Sequence, residues 1–348
     1  MLFLEGGGWC YGVTANLTKQ SCAGRGGGSW PPTTDVAAAA SVFPFSELEK
    51  VSGGSDIGGV MSQDPALNPD FYTWNKAFMH YCDGASFGGG RIEPIPYTKH
   101  RSTAPASLWM RGRNNFNGVI SYLLTTELMS SATDVILSGG SAGGLAVFYN
   151  LDHLATLLPK TTRLTGFPDA GYFMDGAVQG SGGANFEYRN SFQGADPVWN
   201  VTGSGGTNKA CLAAYPPPNQ WKCLLAQYIA PHIVTPIFVM NAAYDAWQMG
   251  NILHTKCVPT PTHACDAPTN ASLLLYRNAF VKSITTWMSS PLSQKQNGVF
   301  LDGCVSPLVS CDSRLSLVSL SSLLSLNFSL LYALHNFPPS FPFYLTEP

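Results

Sequence analysis

The sequence predicts an α/β architecture, a mostly parallel sheet covered by helices on both faces, and three observations carry that reading. Short apolar runs bounded by glycine alternate with segments of helical spacing, the pattern of parallel strands joined by crossover helices. Within DVILSGGSAGGLAVFYNLDHLATLL, residues 134–158, a serine sits between paired glycines, after an apolar run and before an amphipathic one. A second junction of strand and glycine, LFLEGGGWC, stands ahead of it near the amino terminus.

The elements follow in order. LFLEGGG reads as a short buried strand running into a turn. Residues 23–70 are rich in Gly, Pro, Ser and Ala and are expected to form long loops. WNKAFMHYCDG is a further strand ending in a turn, and RGRNNFNGVISYLLTTELM has helical spacing. TDVILSGG is a strand and LAVFYNLDHLATLLP a helix. LTGFPDAGYFMDG supplies loop and strand, whereas residues 176–222, with Pro216, Pro217 and Pro218, are expected to be mostly irregular. TPIFVMNAAYDAW is a strong strand followed by a loop, RNAFVKSITTWM at 277–288 a helix, and NGVFLDGC a closing strand. A chain of 348 residues can bury one large core, and residues 1–304 are read as one domain.

Hydrophobic residues make up 45% of the chain and charged residues only 11%, well under the roughly 25% usual for soluble domains. Ser, Thr, Asn, Gln and Gly must therefore carry the surface. A formal net charge of -2, with no basic run, gives no reason to expect nucleic acid or an anionic membrane as partner. The 9 cysteines (Cys10, Cys22, Cys82, Cys211, Cys223, Cys257, Cys265, Cys304, Cys311) are dispersed rather than set in CxxC pairs. That favours disulfides in an oxidising compartment over a zinc site. Sequons at Asn16, Asn200, Asn270 and Asn327 are compatible with a secretory route. Met1 begins almost inside an apolar run, without the basic flank and cleavage site of a signal peptide. Together with the odd cysteine total, this favours a start placed too late.

Gly139-Gly140-Ser141-Ala142-Gly143 matches G-x-S-x-G between a strand and a helix, the setting a nucleophilic serine requires. The tight turn aims Oγ away from the sheet and puts the Ala142 N–H at a helix N-terminus, ready to stabilise an oxyanion. No GK[ST] follows, which argues against a phosphate loop. Leu4-Glu5-Gly6-Gly7-Gly8-Trp9 has the form of a loop that donates further oxyanion N–H groups, with Gly8 and Trp9 as donors; its alternative is an ordinary glycine turn. Asp245, just past the strand in PIFVMNAAYDAW, stands where an acid partner belongs, and its alternative role is a helix cap. Asp83, Asp169 and Asp175 also lie beside apolar runs, and any of them can instead be structural.

The general base has no good candidate. His254 follows Asp245 closely and reads as a surface or core residue, His263 sits in the proline-flanked PTPTHAC, and His335 lies in an atypical tail. His254, Cys257, His263 and Cys265 together offer soft or borderline ligands, but their spacing fits no common zinc pattern and the prolines favour disulfides. No metal or organic cofactor is implied.

With these residues in view, the chain resembles the pectin acetylesterase family of plants and related organisms, whose animal relative is the lipid deacylase Notum. The resemblance is carried by LFLEGGGWC, YCDGASF (Tyr81 to Phe87), ILSGGSAGG, DAGYFMD (Asp169 to Asp175), PIFVMNAAYDAWQ and GVFLDGC, across about residues 2–304. It implies a fold similar to α/β-hydrolases and a Ser, Asp, His triad. Ser141 would be the nucleophile, Asp245 the acid, and Gly8, Trp9 and Ala142 the oxyanion N–H donors. It further implies removal of O-acetyl groups from a cell-wall polysaccharide, most of all pectic galacturonan, by a secreted protein. A lipid or small-ester deacylase of the Notum kind and a non-catalytic carbohydrate-binding relative are the alternatives.

Two departures follow from the same resemblance. Family members carry a signal peptide and a further segment ahead of the LFLEGGG strand. They also place the catalytic histidine a few residues after the cysteine that matches Cys304, where this chain has Val305, Ser306 and Pro307. From Val305 the chain becomes rich in Ser, Leu, Phe and Pro, with its leucine run broken by serines, so no bilayer helix is expected. Residues 305–348 are read as a tail outside the fold with the codon character of a translated intron, and the polypeptide is expected to lack its general base.

Overall fold

The computed structural model describes residues 1–25, 59–98, 105–175, 179–180, 183–184, 186–257, 265–306 and 343–346. Its centre is a 7-stranded sheet. The strands are β1 (Leu2–Leu4), β2 (Ala77–Met79), β3 (Asp134–Gly140), β4 (Arg163–Asp169), β5 (Phe238–Asp245), β6 (Gly298–Ser306) and β7 (Phe343–Thr346). They lie in the order β7-β6-β5-β4-β3-β1-β2, and every neighbouring pair is parallel. With helices on both faces this is the α/β-hydrolase-like arrangement. The helices that bear on the site are α1 (Ala15–Arg25), α2 (Gly112–Thr125), α3 (Ala142–Leu157), α4 (Glu187–Trp199), α5 (Ala246–Asn251) and α6 (Ala267–Met288).

The period of two along each strand sorts the apolar side chains onto opposite faces. Leu2, Leu4, Val135, Leu137, Val239, Val299 and Leu301 join the larger core with α3 and α6. Phe3, Phe78, Ile136, Phe238 and Phe300 pack instead around Met61, Phe71, Phe167 and Met240. Helix α3 is buried almost all round, from Ala142 through Leu151, as expected of a helix laid across a sheet centre. Its first turn touches the sheet because it lacks side chains there: a Cβ on Gly143 would stand 2.0 Å from the Leu4 carbonyl oxygen.

Several elements differ from the sequence expectation. The stretch 176–222 is not mostly irregular, since α4 buries Tyr188, Ser191, Phe192, Ala195, Val198 and Trp199 along one face. Pro197 inside its last turn disguised it, because an interior proline normally ends a helix. Helix α6 begins at Ala267 rather than at residue 277, with Asp266 accepting the Thr269 N–H at 2.9 Å and proline in the first turn. Residues 23–25 close α1 instead of opening a loop. Strand β7 falls in the tail and pairs with β6 from Val299↔Phe343 to Asp302↔Thr346; residues 307–342, and what was expected of them, lie outside the described residues.

Candidate active site

The strand-to-helix turn at Ser141 carries the strain that its motif implies. Ser141 adopts φ 56 and ψ -120, a left-handed backbone for a residue with a side chain, which costs of order 1–3 kcal/mol and persists only when the surroundings enforce it. They do: the Ser141 N–H donates to the Asp169 carbonyl at 2.9 Å, and a Cβ on Gly6 would stand 2.4 Å from the Gly140 carbonyl. Serine at a helix N-cap usually spends its hydroxyl on the helix, yet Ser141 makes no such bond. It is half-buried while the residues after it are buried. Oγ is therefore presented at the carboxyl end of β3, next to the N–H of Ala142, which has no partner within its own helix.

The glycine loop after β1 reaches the same edge. Gly7 and Gly8 take φ 126 and φ 66, and a Cβ on Gly8 would meet open space, so this stretch of backbone faces outward. Arg25 braces it, donating from Nη1 to the Gly7 carbonyl at 2.6 Å while lying over the Tyr81 ring. Trp9 is buried, with its ring edge-on to Phe173, Tyr188, Phe192 and Trp247. Its indole N–H donates to Ser86 Oγ at 2.7 Å.

Asp245 ends β5 and caps α5, accepting the Gln248 N–H on Oδ1 at 2.8 Å. The cap reading and the position at a strand's carboxyl end thus hold together. Its other oxygen, Oδ2, is buried without a hydrogen-bond partner among the described residues. Burial pushes the carboxyl up to about 7, against the lowering effect of the nearby N–H groups of Gln248, Trp247 and Asn241. The Gln248 side chain ties this corner to the segment after β4, accepting the Met174 N–H and donating to the Tyr172 carbonyl. Phe173 in that segment touches both Trp9 and Trp247. Three separate stretches of chain, after β1, β3 and β5, are in this way gathered at the carboxyl edge of the sheet. In the β5–β6 register Ser306 stands opposite Asp245.

The remaining candidates have other partners. Asp83 is buried and accepts the N–H groups of Ala85, Phe87 and Gly89, a structural cradle for the turn through YCDGASF. Asp175 accepts from Arg189 and from the Tyr228 hydroxyl. Asp169 offers its backbone carbonyl to Ser141. His254 is an exposed partner of Glu187 at 3.3 Å, and His263 and His335 lie outside the described residues. The metal reading of His254, Cys257, His263 and Cys265 loses its sulfur ligands, since Cys257 and Cys265 form a disulfide. Cys10–Cys22 and Cys211–Cys223 are also bonded. Sequence reasoning missed Ser86, Trp247 and Gln248; the blocks holding them were noticed, but nothing local says that they meet.

A family model described as Pectinacetylesterase matches residues 1–337. Pectin acetylesterase 11 of Arabidopsis thaliana is 31% identical over 317 residues, covering 87% of this chain and 69% of that protein. Palmitoleoyl-protein carboxylesterase NOTUM of Schmidtea mediterranea is 23% identical over 257 residues, 72% of this chain and 42% of that protein. Among solved structures, the Wnt deacylase Notum from Drosophila superposes with a TM-score of 0.66 at 22% identity, covering 90% of this chain and 77% of that one. At that identity the likeness is one of fold.

Proposed function

The chain belongs to the pectin acetylesterase family, and on that premise we propose that it is a serine carboxylic-ester hydrolase removing O-acetyl groups from pectic polysaccharide. Ser141 Oγ attacks the acetyl carbonyl as a general base takes its proton, the backbone N–H groups of Gly8, Trp9 and Ala142 receive the oxyanion, and the same proton passes to the sugar oxygen, which leaves as a hydroxyl. Water then releases acetate from the acyl-serine. The observation that carries this reading is Ser141 itself, held at a strained left-handed turn with its hydroxyl unspent on the helix it caps.

Asp245 is the acid of this scheme. Its empty, buried Oδ2 is the acceptor that a histidine N–H uses when an aspartate orients it and stabilises the imidazolium. Among the described residues the histidines have other neighbours: His80 meets Glu5, His153 Asn117, His232 the Tyr215 ring and His254 Glu187. Val305 and Ser306, beside Tyr244 and Asp245 in the sheet register, stand where the family resemblance calls for the base. The disulfides support an oxidising, secretory destination.

Acetyl rather than long acyl groups are the proposed substrate on the strength of family membership. The test is acetate release from acetylated pectin by the intact chain and by Ser141→Ala, alongside short- and long-chain nitrophenyl esters. Release abolished by the substitution, with acetyl favoured, is expected. A preference for long chains would point to a lipid deacylase, and pectin binding without Ser141-dependent release to a carbohydrate-binding protein.

A further inference from the structure

We propose that Ser86 is a positioning residue that locks together the two backbone arms offered to the oxyanion, an inference that rests on the esterase reading above. Trp9 belongs to the arm after β1 and Ala142 to the arm after β3. Ser86 lies between them: Trp9 Nε1–H donates to Ser86 Oγ at 2.7 Å, and the Ser86 hydroxyl donates to the Ala142 carbonyl at 2.7 Å. The direction of this relay is forced. An indole N–H can only donate and a carbonyl can only accept, so the single hydroxyl hydrogen must point at Ala142. The Ser86 N–H is used as well, donating to the Tyr81 hydroxyl at 2.8 Å.

The setting is built to hold that hydroxyl still. Ser86 is 0% exposed, so no water competes for either bond, and it adopts φ 51 beside Phe87 at φ 54. Left-handed backbone at two successive residues with side chains is costly. The Asp83 carboxylate enforces it by accepting the N–H groups of Ala85 and Phe87 on either side. A serine needed only to fill space would not require a strained backbone with a bond at each polar atom. The relay fixes the separation of two loops that belong to different strands, and an oxyanion hole depends on donors that need no rearrangement during reaction.

The experiment uses the intact chain and p-nitrophenyl acetate, whose leaving group departs without proton assistance, so that turnover is readable with a weak base. Ser86→Ala removes the hydroxyl without adding volume, Ser86→Cys keeps its size and a weak donor, and Trp9→Phe removes the indole N–H at the far end. Removing an oxyanion donor outright costs about 10²–10³ in kcat. Loosening two of them through Ser86→Ala is expected to lower kcat roughly 10-fold to 100-fold with KM within about twofold. Ser86→Cys should recover part of that loss. Combining Ser86→Ala with Trp9→Phe should cost little more in kcat than the larger single loss, since both cut one relay. A kcat for Ser86→Ala within about twofold of the parent, or losses that multiply in the double variant, overturns the proposal. If Ser86→Ala does not fold, Ser86→Cys and Trp9→Phe carry the same comparison. A parent without Ser141-dependent turnover overturns the esterase reading and this proposal with it, whereas a parent whose turnover ignores Ser86 overturns the proposal alone.

Discussion

Replacing Asp245 by asparagine is expected to change the pH dependence of stability by a predictable amount. Asp245 is 1% exposed in the wild type, and burial raises its carboxyl from the ordinary 3.8 up to about 7. Below about pH 4 both the folded and the unfolded chain hold the proton, so burial of this group carries no charge penalty. Between that point and about pH 7 the unfolded chain has lost its proton while the folded chain keeps it. Stability therefore falls as pH rises, by about 1.4 kcal/mol per pH unit, and levels off above about 7 after a loss of about 4 kcal/mol. Asparagine does not titrate. The stability difference between wild type and Asp245→Asn should thus shift against the wild type by up to about 4 kcal/mol from roughly pH 4 to roughly pH 8, read from urea midpoints by tryptophan emission. Taking the difference removes every other titrating group. A difference flat across that range would refute the reasoning and would mean that Oδ2 has a donor in solution.

Imidazole added to the chain should raise Ser141-dependent hydrolysis of p-nitrophenyl acetate at about pH 8, where Asp245 is ionised, beyond the free-solution reaction measured with Ser141→Ala. Equal stimulation of Asp245→Asn would remove Asp245 from the role of acid. Gly143→Ala should destabilise by at least the ~1–3 kcal/mol of an overpacked core, because the new methyl would stand 2.0 Å from the Leu4 carbonyl oxygen; an unchanged denaturation midpoint would contradict this. Asp83→Ala should cost at least about 3 kcal/mol, since each buried N–H left without its acceptor costs ~1–3 kcal/mol and Ala85, Phe87 and Gly89 all donate to it. A loss under about 1 kcal/mol in the same measurement would show that water reaches the cradle.

The elbow at Ser141 was legible because everything that defines it is contiguous: an apolar strand, small residues around a serine, and a helix. The alternation of Leu2, Phe3 and Leu4, or of Val135, Ile136 and Leu137, likewise announces a sheet buried on both faces. Helix α4 was not legible, because Pro197 breaks the local rule while the packing of Tyr188, Phe192 and Trp199 overrides it. The start of α6 was signalled by Asp266 and the proline after it and was passed over. Asp245 stayed open between acid and cap, since a residue after a strand and before a helix suits both; only the assembled site shows one oxygen spent on the cap and the other empty.

The sequence by itself therefore determined most of the alternating strands and helices, the strand–serine–helix turn and the glycine loop, all features that a few neighbouring residues dictate through backbone sterics and side-chain period. Tertiary structure alone decided the strand order β7-β6-β5-β4-β3-β1-β2, the meeting of Trp9 with Trp247 and the relay through Ser86. Those contacts join segments far apart along the chain. Their pairing is settled by which surfaces can be buried together with every polar group satisfied, a property of the whole fold that no local stretch encodes.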